Sequence, residues 1–213
     1  MIKGYRRDLA IRKVKTLQKH KPVLLIDQDD VLAEYIKGVV ENFNEKYNTN
    51  YTTDDCVCWD LVSVFGEDIL TIMHEPELFR NLKPVEEAIE TFKRLYESNL
   101  FEMYIVTAAH PSSVEAKYEW IKQYMPFFPQ NHIIISSVKY MIKGDYLLDD
   151  GMHNIVDFKE AGGISIIFDR PHNQKACSSH PRVKSWREFE KWIMNECYPN
   201  VYEKIYEVDK EAI

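Results

Sequence analysis

Short runs of aliphatic residues alternate along the chain with stretches whose apolar residues recur every three to four positions. The aliphatic runs are continuous, which is typical of strands buried on both faces of a parallel sheet. They predict five strands, at residues 23–26, 103–106, 133–135, 146–148 and 164–168. The amphipathic stretches predict helices at residues 85–98, 113–124, 155–161 and 186–196. Strands that alternate with helices in this way indicate an α/β fold with a doubly wound, Rossmann-like parallel sheet.

One long segment interrupts the alternation. Residues 32–83 contain no convincing buried strand, and their apolar residues fit helices and loops. We therefore predict a helical cap of residues 32–83, inserted after the first strand, with residues 1–31 and 84–213 forming the core. Within the core, residues 1–21 are strongly basic and are expected to form an amphipathic surface helix, with a mitochondrial targeting peptide as the alternative.

Composition limits the classes of partner. Hydrophobic residues make up 45% of the 213 residues, as expected of a folded globular protein. Acidic residues outnumber basic ones by 34 to 27, so binding to a nucleic-acid polymer is not expected. The aliphatic runs are far shorter than the roughly 20 residues that a bilayer requires, and the N-terminal residues do not resemble a secretory signal. We therefore expect a cytoplasmic protein with reduced cysteines and no membrane contact.

Three carboxylates follow the first predicted strand, at Asp27, Asp29 and Asp30. Two unit charges 4 Å apart repel by about 4 kcal/mol at an effective dielectric of 20, so a fold keeps such a cluster only with a cation or a shifted pKa. Carboxylate oxygens are ligands that Mg²⁺ prefers. A solvated acidic turn is the alternative interpretation for this cluster taken alone.

The cluster has counterparts at other strand ends. Asp149 and Asp150 follow the predicted strand 146–148, and Thr107 follows the predicted strand 103–106. Two lysines, Lys139 and Lys143, lie shortly before the second acidic pair. Ligands of open α/β sheets bind at the carboxyl ends of the strands, so these residues are predicted to form one site.

This order of acid, hydroxyl, lysine and acid resembles the haloacid dehalogenase superfamily of aspartyl-phosphate phosphatases. Its first motif, D-x-D-x-[TV], is matched by Asp27, Asp29 and Val31. Within the superfamily, the phrases DQDDVLAEY and KGDYLLDDG resemble those of the 5'(3')-deoxyribonucleotidases. Two positions depart from the pattern, because Asp30 stands where a glycine is usual and Ala108 stands where a serine is frequent.

The resemblance implies a role for each site residue. Asp27 would be the nucleophile and Asp29 the general acid and base. Mg²⁺ would be bound by the Asp27 carboxylate, the Asp29 main-chain carbonyl and the Asp150 carboxylate. The remaining residues would act around these. Asp149 would orient metal-bound water or the lysine, and phosphate would be held by Thr107, Ala108 and Lys139, with Lys143 as the alternative.

The resemblance also implies the substrate, a small phosphate ester and more narrowly a nucleoside monophosphate. Two aromatic residues of the cap, Tyr35 and Trp59, would contact its base. Beyond the predicted fifth strand, His172 and Asn173 lie near the rim of the site and could contact substrate. The alternatives are a phosphatase for another small ester, or a non-catalytic scaffold of the same fold. A receiver domain is disfavoured because it places its acidic pair first. A homodimer is left open.

Overall fold

The computed structural model describes residues 20–176 and 179–199. Six parallel strands form one sheet there, in the order β3-β2-β1-β4-β5-β6. The strands are β1 Val23–Ile26, β2 Glu102–Thr107, β3 Ile133–Ile135, β4 Tyr146–Asp149, β5 Ile164–Phe168 and β6 Arg182–Val183. The order, with the first strand central, is that of Rossmann-type sheets, and the predicted fold class is confirmed. The pattern missed β6 because a strand of two residues leaves no aliphatic run.

Eight α-helices lie in the described part of the chain: α1 Tyr35–Tyr47, α2 Val62–Phe65, α3 Leu70–Met73, α4 Pro76–Asn81, α5 Ala88–Ser98, α6 Val114–Tyr124, α7 Met152–Glu160 and α8 Trp186–Cys197. The last four correspond to the predicted helices, with ends that differ by at most three residues. None of the eight is long and apolar enough to cross a bilayer. The basic helix predicted over residues 1–21 lies outside the described residues, apart from its last two positions.

Successive residues of the central strand β1 pack on opposite faces of the sheet. Leu24 belongs to the larger core cluster, with Phe92 of α5 and Trp186 of α8. Leu25 belongs to a smaller cluster, with Phe158 of α7. Because the sheet is covered on both faces, its strands carry continuous aliphatic runs, and polar side chains are confined to the strand ends.

The helices α1–α4 lie in an insertion whose two ends run side by side. The backbone N–H of Glu34 donates to the carbonyl of Lys83 at 2.9 Å, and that of Val85 donates to the carbonyl of Leu32 at 2.9 Å. The chain therefore leaves the core after β1 and returns to it at the same place. The division into a core and a cap of residues 32–83 stays a prediction.

Candidate active site

The carboxyl ends of β1, β2 and β4 meet at one edge of the sheet, because β1 lies between the other two. Asp27 follows β1, Thr107 ends β2 and Asp149 ends β4. The backbone N–H of Asp27 donates to the carbonyl of Leu148 at 3.0 Å, which extends the strand pairing by one residue. The three polar side chains are buried, with residual exposures of 6%, 0% and 0%. Residues from three distant parts of the sequence thus form one polar cluster.

Lys139 connects two carboxylates of this cluster. It opens a short 3₁₀ turn, Lys139–Met141, in the loop between β3 and β4. Its Nζ lies 2.7 Å from Oδ1 of Asp27 and 2.6 Å from Oδ2 of Asp149. Of the two lysines that the sequence offered, Lys139 is therefore the one at the site. Lys143 is exposed and is not among the residues that line the cavity.

Burial and the neighbouring charge of Lys139 act on the pKa of Asp27 in opposite directions. Burial raises the pKa of the Asp27 carboxyl well above its usual range; Lys139 opposes the increase, and Asp149 and Asp150 add to it. Burial alone would lower the pKa of Lys139, but the charges of Asp149 and Asp27 outweigh that effect and raise it. The lysine therefore stays protonated, while Asp27 holds a proton more readily than an exposed aspartate does.

A second lysine, Lys117 of α6, holds the other aspartate of the first motif. Its Nζ lies 2.6 Å from Oδ2 of Asp29 and donates to Oγ1 of Thr107 at 2.9 Å and to the carbonyl of Ala108 at 2.7 Å. The Lys117 side chain is 1% exposed and passes over the ring of Phe79, with Nζ 5.0 Å from its centroid. It thus fixes the position of Asp29 relative to the end of β2.

Our sequence interpretation missed Lys117, although the sequence carries a signal for it. Trp120 and Ile121 form part of the buried stripe of α6, and Lys117 lies three and four positions before them on the same face. Lysine is almost never fully buried unless it is paired. A lysine on the apolar face of a predicted helix therefore indicates a buried acidic partner.

Asp149 is fully occupied by protein partners. Its Oδ2 receives the Lys139 hydrogen bond, and its Oδ1 accepts from the backbone N–H of Gly151 at 2.8 Å and from Nδ2 of Asn154 at 3.2 Å. Since both oxygens are engaged, this aspartate suits the role of orienting Lys139.

The carboxylates of Asp27 and Asp150, which lie close to Asp149, fit a magnesium ion. Oxygens of Asp27, Asp149 and Asp150 lie within 4.8 Å of one another. Oδ1 of Asp29 and Oδ1 of Asp150 are buried without a hydrogen-bond partner among the described residues. A buried carboxylate oxygen is costly unless it is paired, and oxygen donors are those that Mg²⁺ prefers. Asp27 and Asp150 of the predicted metal residues therefore meet in one cluster, while the Asp29 carboxylate faces Lys117.

Asp30, which replaces the usual glycine, keeps a backbone conformation that favours glycine. Its φ is 52°, in the left-handed region. Its carboxylate accepts the backbone N–H of Ile36 at 3.0 Å, at the start of α1, and Arg170 Nε donates to its carbonyl at 2.6 Å. Burial, and next the charge of Asp150, raise the pKa of Asp30 well above its usual range. This carboxyl therefore retains a proton more readily than an exposed aspartate does.

A cavity of about 570 Å³ opens above these residues. From the core it is lined by Asp27, Asp29, Ala108, Lys117, Lys139 and Asp150, and from the insertion by Tyr35 and Trp59.

The two aromatic residues of the cavity, Tyr35 and Trp59, differ in their surroundings. Tyr35 stacks on Phe79, with centroids 5.6 Å apart, and donates to the carbonyl of Met73 at 3.2 Å. Trp59 is 59% exposed, so it offers much more free surface to a ligand.

Comparison with known proteins identifies the family. Residues 21–197 match the family model described as "5' nucleotidase, deoxy (Pyrimidine), cytosolic type C protein". A 5'(3')-deoxyribonucleotidase of Bacillus subtilis is 34% identical over 177 residues, which cover 82% of this chain and 99% of that protein. A 5'(3')-deoxyribonucleotidase of Clostridium acetobutylicum is 34% identical over 173 residues, covering 79% of this chain and 93% of the relative.

Solved structures agree on the fold. A HAD family hydrolase from Deinococcus radiodurans R1, with bound phosphate and sodium, superposes with a TM-score of 0.59 at 14% identity, covering 83% of this chain and 96% of that one. A HAD-hydrolase of Bacillus subtilis bound to magnesium superposes with a TM-score of 0.56 at 16% identity, covering 83% and 100%. The family model and the curated relatives, together with the site described above, make the chain a phosphomonoester hydrolase. It belongs to the deoxyribonucleotidase family of the haloacid dehalogenase superfamily.

Proposed function

We propose that the chain is a Mg²⁺-dependent 5'(3')-deoxyribonucleotidase that forms an aspartyl-phosphate intermediate on Asp27. The observation that carries this proposal is the position of the Asp27 carboxylate, which lines the cavity, lies 2.7 Å from Nζ of Lys139 and belongs to the acidic cluster with Asp149 and Asp150. A nucleophile for phosphoryl transfer must face the substrate while nearby positive charge offsets the charge of the phosphate. The names of the curated relatives support a deoxynucleotide as substrate.

The two carboxylates of the first motif have different roles, Asp27 as nucleophile and Asp29 as general acid and base. Asp27 attacks phosphorus, and the bond from phosphorus to the ester oxygen breaks as Asp29 gives that oxygen its proton. Asp29 then takes a proton from water, whose oxygen attacks the phosphorus and releases Asp27. The side chain of Asp29 is 26% exposed against 9% for Asp27, so Asp29 has access to the leaving group and to solvent.

The phosphate would be held by Lys139, by the Thr107 hydroxyl and by the backbone at Ala108. Lys139 and Ala108 line the cavity, whereas Thr107 is buried and its hydroxyl, which is now bonded to Lys117 and to the Ala108 carbonyl, would have to turn toward the phosphate. Donors placed in this way stabilise the charge that develops in the transition state. Mg²⁺, when bound by Asp27, Asp150 and the Asp29 carbonyl, would offset the negative charge that otherwise keeps an anionic nucleophile from an anionic ester.

Phosphate release from a panel of esters tests this function. The panel contains 5'- and 3'-deoxynucleoside monophosphates, the matching ribonucleotides and several sugar phosphates, all with Mg²⁺. We expect a deoxynucleotide to have the highest kcat/KM. If sugar phosphates are hydrolysed faster than every deoxynucleotide, the chain is a phosphatase for another class of small ester.

Trp59→Ala is expected to weaken hydrolysis of deoxynucleotides selectively. Stacking of a base on an aromatic side chain contributes about 1–3 kcal/mol. Since about 1.36 kcal/mol corresponds to a factor of ten in rate, kcat/KM for a deoxynucleotide should fall by roughly 5- to 150-fold. Hydrolysis of deoxyribose 5-phosphate, which has no base, should change little. Tyr35→Ala is a less clean probe, because it also removes the contact with Phe79.

The control for Trp59 is another exposed apolar residue of the insertion. Leu70 is 47% exposed and is not among the residues lining the cavity, so Leu70→Ala should leave both activities unchanged. Assays at saturating Mg²⁺ remove any contribution from metal affinity. Equal losses on the two substrates in Trp59→Ala would mean that this indole only packs the cap, and the base contact would be rejected.

Lys117→Met is expected to lower kcat by about a hundredfold with a smaller change in KM, since a positioned acid–base group contributes about 10²–10⁴-fold. Methionine keeps most of the apolar stem that packs on Phe79, but it removes the cation that holds Asp29 and Thr107. Lys122 is exposed on the same helix, so Lys122→Met is the matched control. A Lys117→Met enzyme with wild-type kcat would show that Asp29 needs no such partner.

A further inference from the structure

The turn that follows β5 reaches back to the second acidic pair. It is a short 3₁₀ segment, Pro171–Asn173. The buried Asn173 donates through Nδ2 to the main-chain carbonyls of Asp150 and Phe168, both at 2.9 Å. Its Oδ1 accepts from the backbone N–H of Arg170 at 3.1 Å and from Nη1 of Arg182 at 2.6 Å. The turn is therefore tied to the backbone of Asp150 by an amide whose two donors and one acceptor are all used.

The neighbouring residue, His172, contacts the carboxylate of the same aspartate. Its Nε2 lies 2.9 Å from Oδ2 of Asp150, and the two side chains are 3% and 2% exposed. The two atoms are within hydrogen-bond distance but are not aligned as donor and acceptor, so Nε2 is left without a hydrogen bond among the described residues. A small rotation of the imidazole or of the carboxylate would align them.

The two oxygens of Asp150 consequently have different surroundings. Oδ2 faces the imidazole, whereas Oδ1 is buried and has no hydrogen-bond partner in the described ranges. A carboxylate held at one oxygen presents the other in a defined direction. Loss of a partner that orients a metal ligand in this way typically weakens metal binding by about 10–100-fold.

We infer that His172 is a positioning residue for the metal site: it donates from Nε2 to Oδ2 of Asp150 and thereby directs Oδ1 toward the cation. The inference rests on the proposed function, since it assumes that Asp150 binds Mg²⁺. It assigns His172 to the metal side of the site, and not to contact with the substrate.

The imidazole of His172 also contacts an aromatic residue of the insertion. The indole of Trp59 packs edge-on against it, with centroids 5.3 Å apart, and against His153 of α7 with centroids 5.2 Å apart. The two histidines therefore share one aromatic neighbour at nearly equal distance. They differ in that His153 is exposed, whereas His172 is buried against Asp150. This difference makes His153 the matched control.

The experiment is a calorimetric titration of Mg²⁺ into the chelator-treated full chain, without substrate. His172→Ala should weaken Mg²⁺ binding by about 10–100-fold. His172→Gln, whose amide nitrogen can still donate to Oδ2, should recover part of that loss. His153→Ala should bind Mg²⁺ as the wild type does. Circular dichroism and thermal melting check each variant, and His172→Gln decides the question if the alanine variant does not fold.

Three results would overturn the inference: wild-type Mg²⁺ affinity in both His172 variants, an equal loss in His153→Ala, or no Mg²⁺ binding by the wild type. The binding readout keeps it separate from the substrate assignment. A chain that binds Mg²⁺ through His172 but hydrolyses no deoxynucleotide would retain the inference and lose the proposed function. A chain that hydrolyses deoxynucleotides but whose Mg²⁺ affinity does not depend on His172 would retain the proposed function and lose the inference.

Discussion

Asp27→Asn should reduce phosphate release from every substrate by on the order of 10⁴-fold or more, as expected when a covalent nucleophile is removed. The amide cannot attack phosphorus, and the neighbouring carboxylates have other roles in the proposed mechanism. Asp29 is held by Lys117, and both oxygens of Asp149 are engaged. Steady-state phosphate release, together with a search for the aspartyl-phosphate by mass spectrometry of the acid-quenched enzyme, measures the effect.

The same variant should be more stable than the wild type in metal-free buffer. Because burial and neighbouring carboxylates raise the pKa of Asp27, the folded state binds this proton more tightly than the unfolded state does. The wild type therefore loses stability as the pH rises from the unfolded pKa of about 3.9 through the raised folded pKa. Asparagine cannot ionise and avoids this loss. Its advantage should be complete above the folded pKa and should disappear as the pH falls toward about 4.

Thermal melting against pH measures this stability difference. For a domain of this length, each 1 kcal/mol shifts Tm by about 2–4 °C. Asp54 is an exposed aspartate of the insertion, so Asp54→Asn is the matched control and should shift neither Tm nor activity. An Asp27→Asn enzyme that keeps substantial activity would contradict the covalent mechanism.

Removal of divalent metal should abolish activity, and Mg²⁺ should restore it. The unpartnered Oδ1 of Asp150 and the carboxylates clustered with Asp27 among the described residues are the features that lead us to expect a bound cation. Ca²⁺ should bind but inhibit, because its longer and looser coordination would misplace the nucleophile. Phosphate release after EDTA treatment, and after re-addition of each ion, tests these expectations.

Metal binding can also be followed without turnover. A ligand present at a hundred times its dissociation constant stabilises the folded state by about 2.7 kcal/mol. Mg²⁺ should therefore raise the Tm of the wild type, and Asp150→Asn should lose most of that shift. Full turnover in the presence of EDTA would remove the role assigned to Asp150.

The sequence alone predicted the sheet and the polar residues at the carboxyl ends of its strands. Strands covered on both faces need continuous aliphatic runs, so β1 to β5 were visible from local composition. Polar residues that interrupt such runs must lie at strand ends, which located Asp27, Thr107 and Asp149. The spacing within the first motif is also local, since Asp27 and Asp29 are two residues apart. Each of these features depends on a few consecutive residues.

The contacts that these residues make could be identified only from the tertiary structure. The family resemblance favoured Lys139 over Lys143, and the path of the loop after β3 is what buries Lys139 against Asp27. Lys117 is 88 residues from Asp29, yet the packing of α6 brings the two together.

The same distinction applies around the cavity. Tyr35 and Trp59 were both predicted to contact the base, but the packing of the insertion leaves Trp59 the more exposed and stacks Tyr35 on Phe79. His172 was assigned by sequence to the rim, whereas the turn after β5 places it on Asp150. The physical reason is that burial and charge pairing are properties of the space around a side chain. Residues far apart along the chain fill that space, so a local pattern can name individual residues of this site but cannot show which of them contact one another.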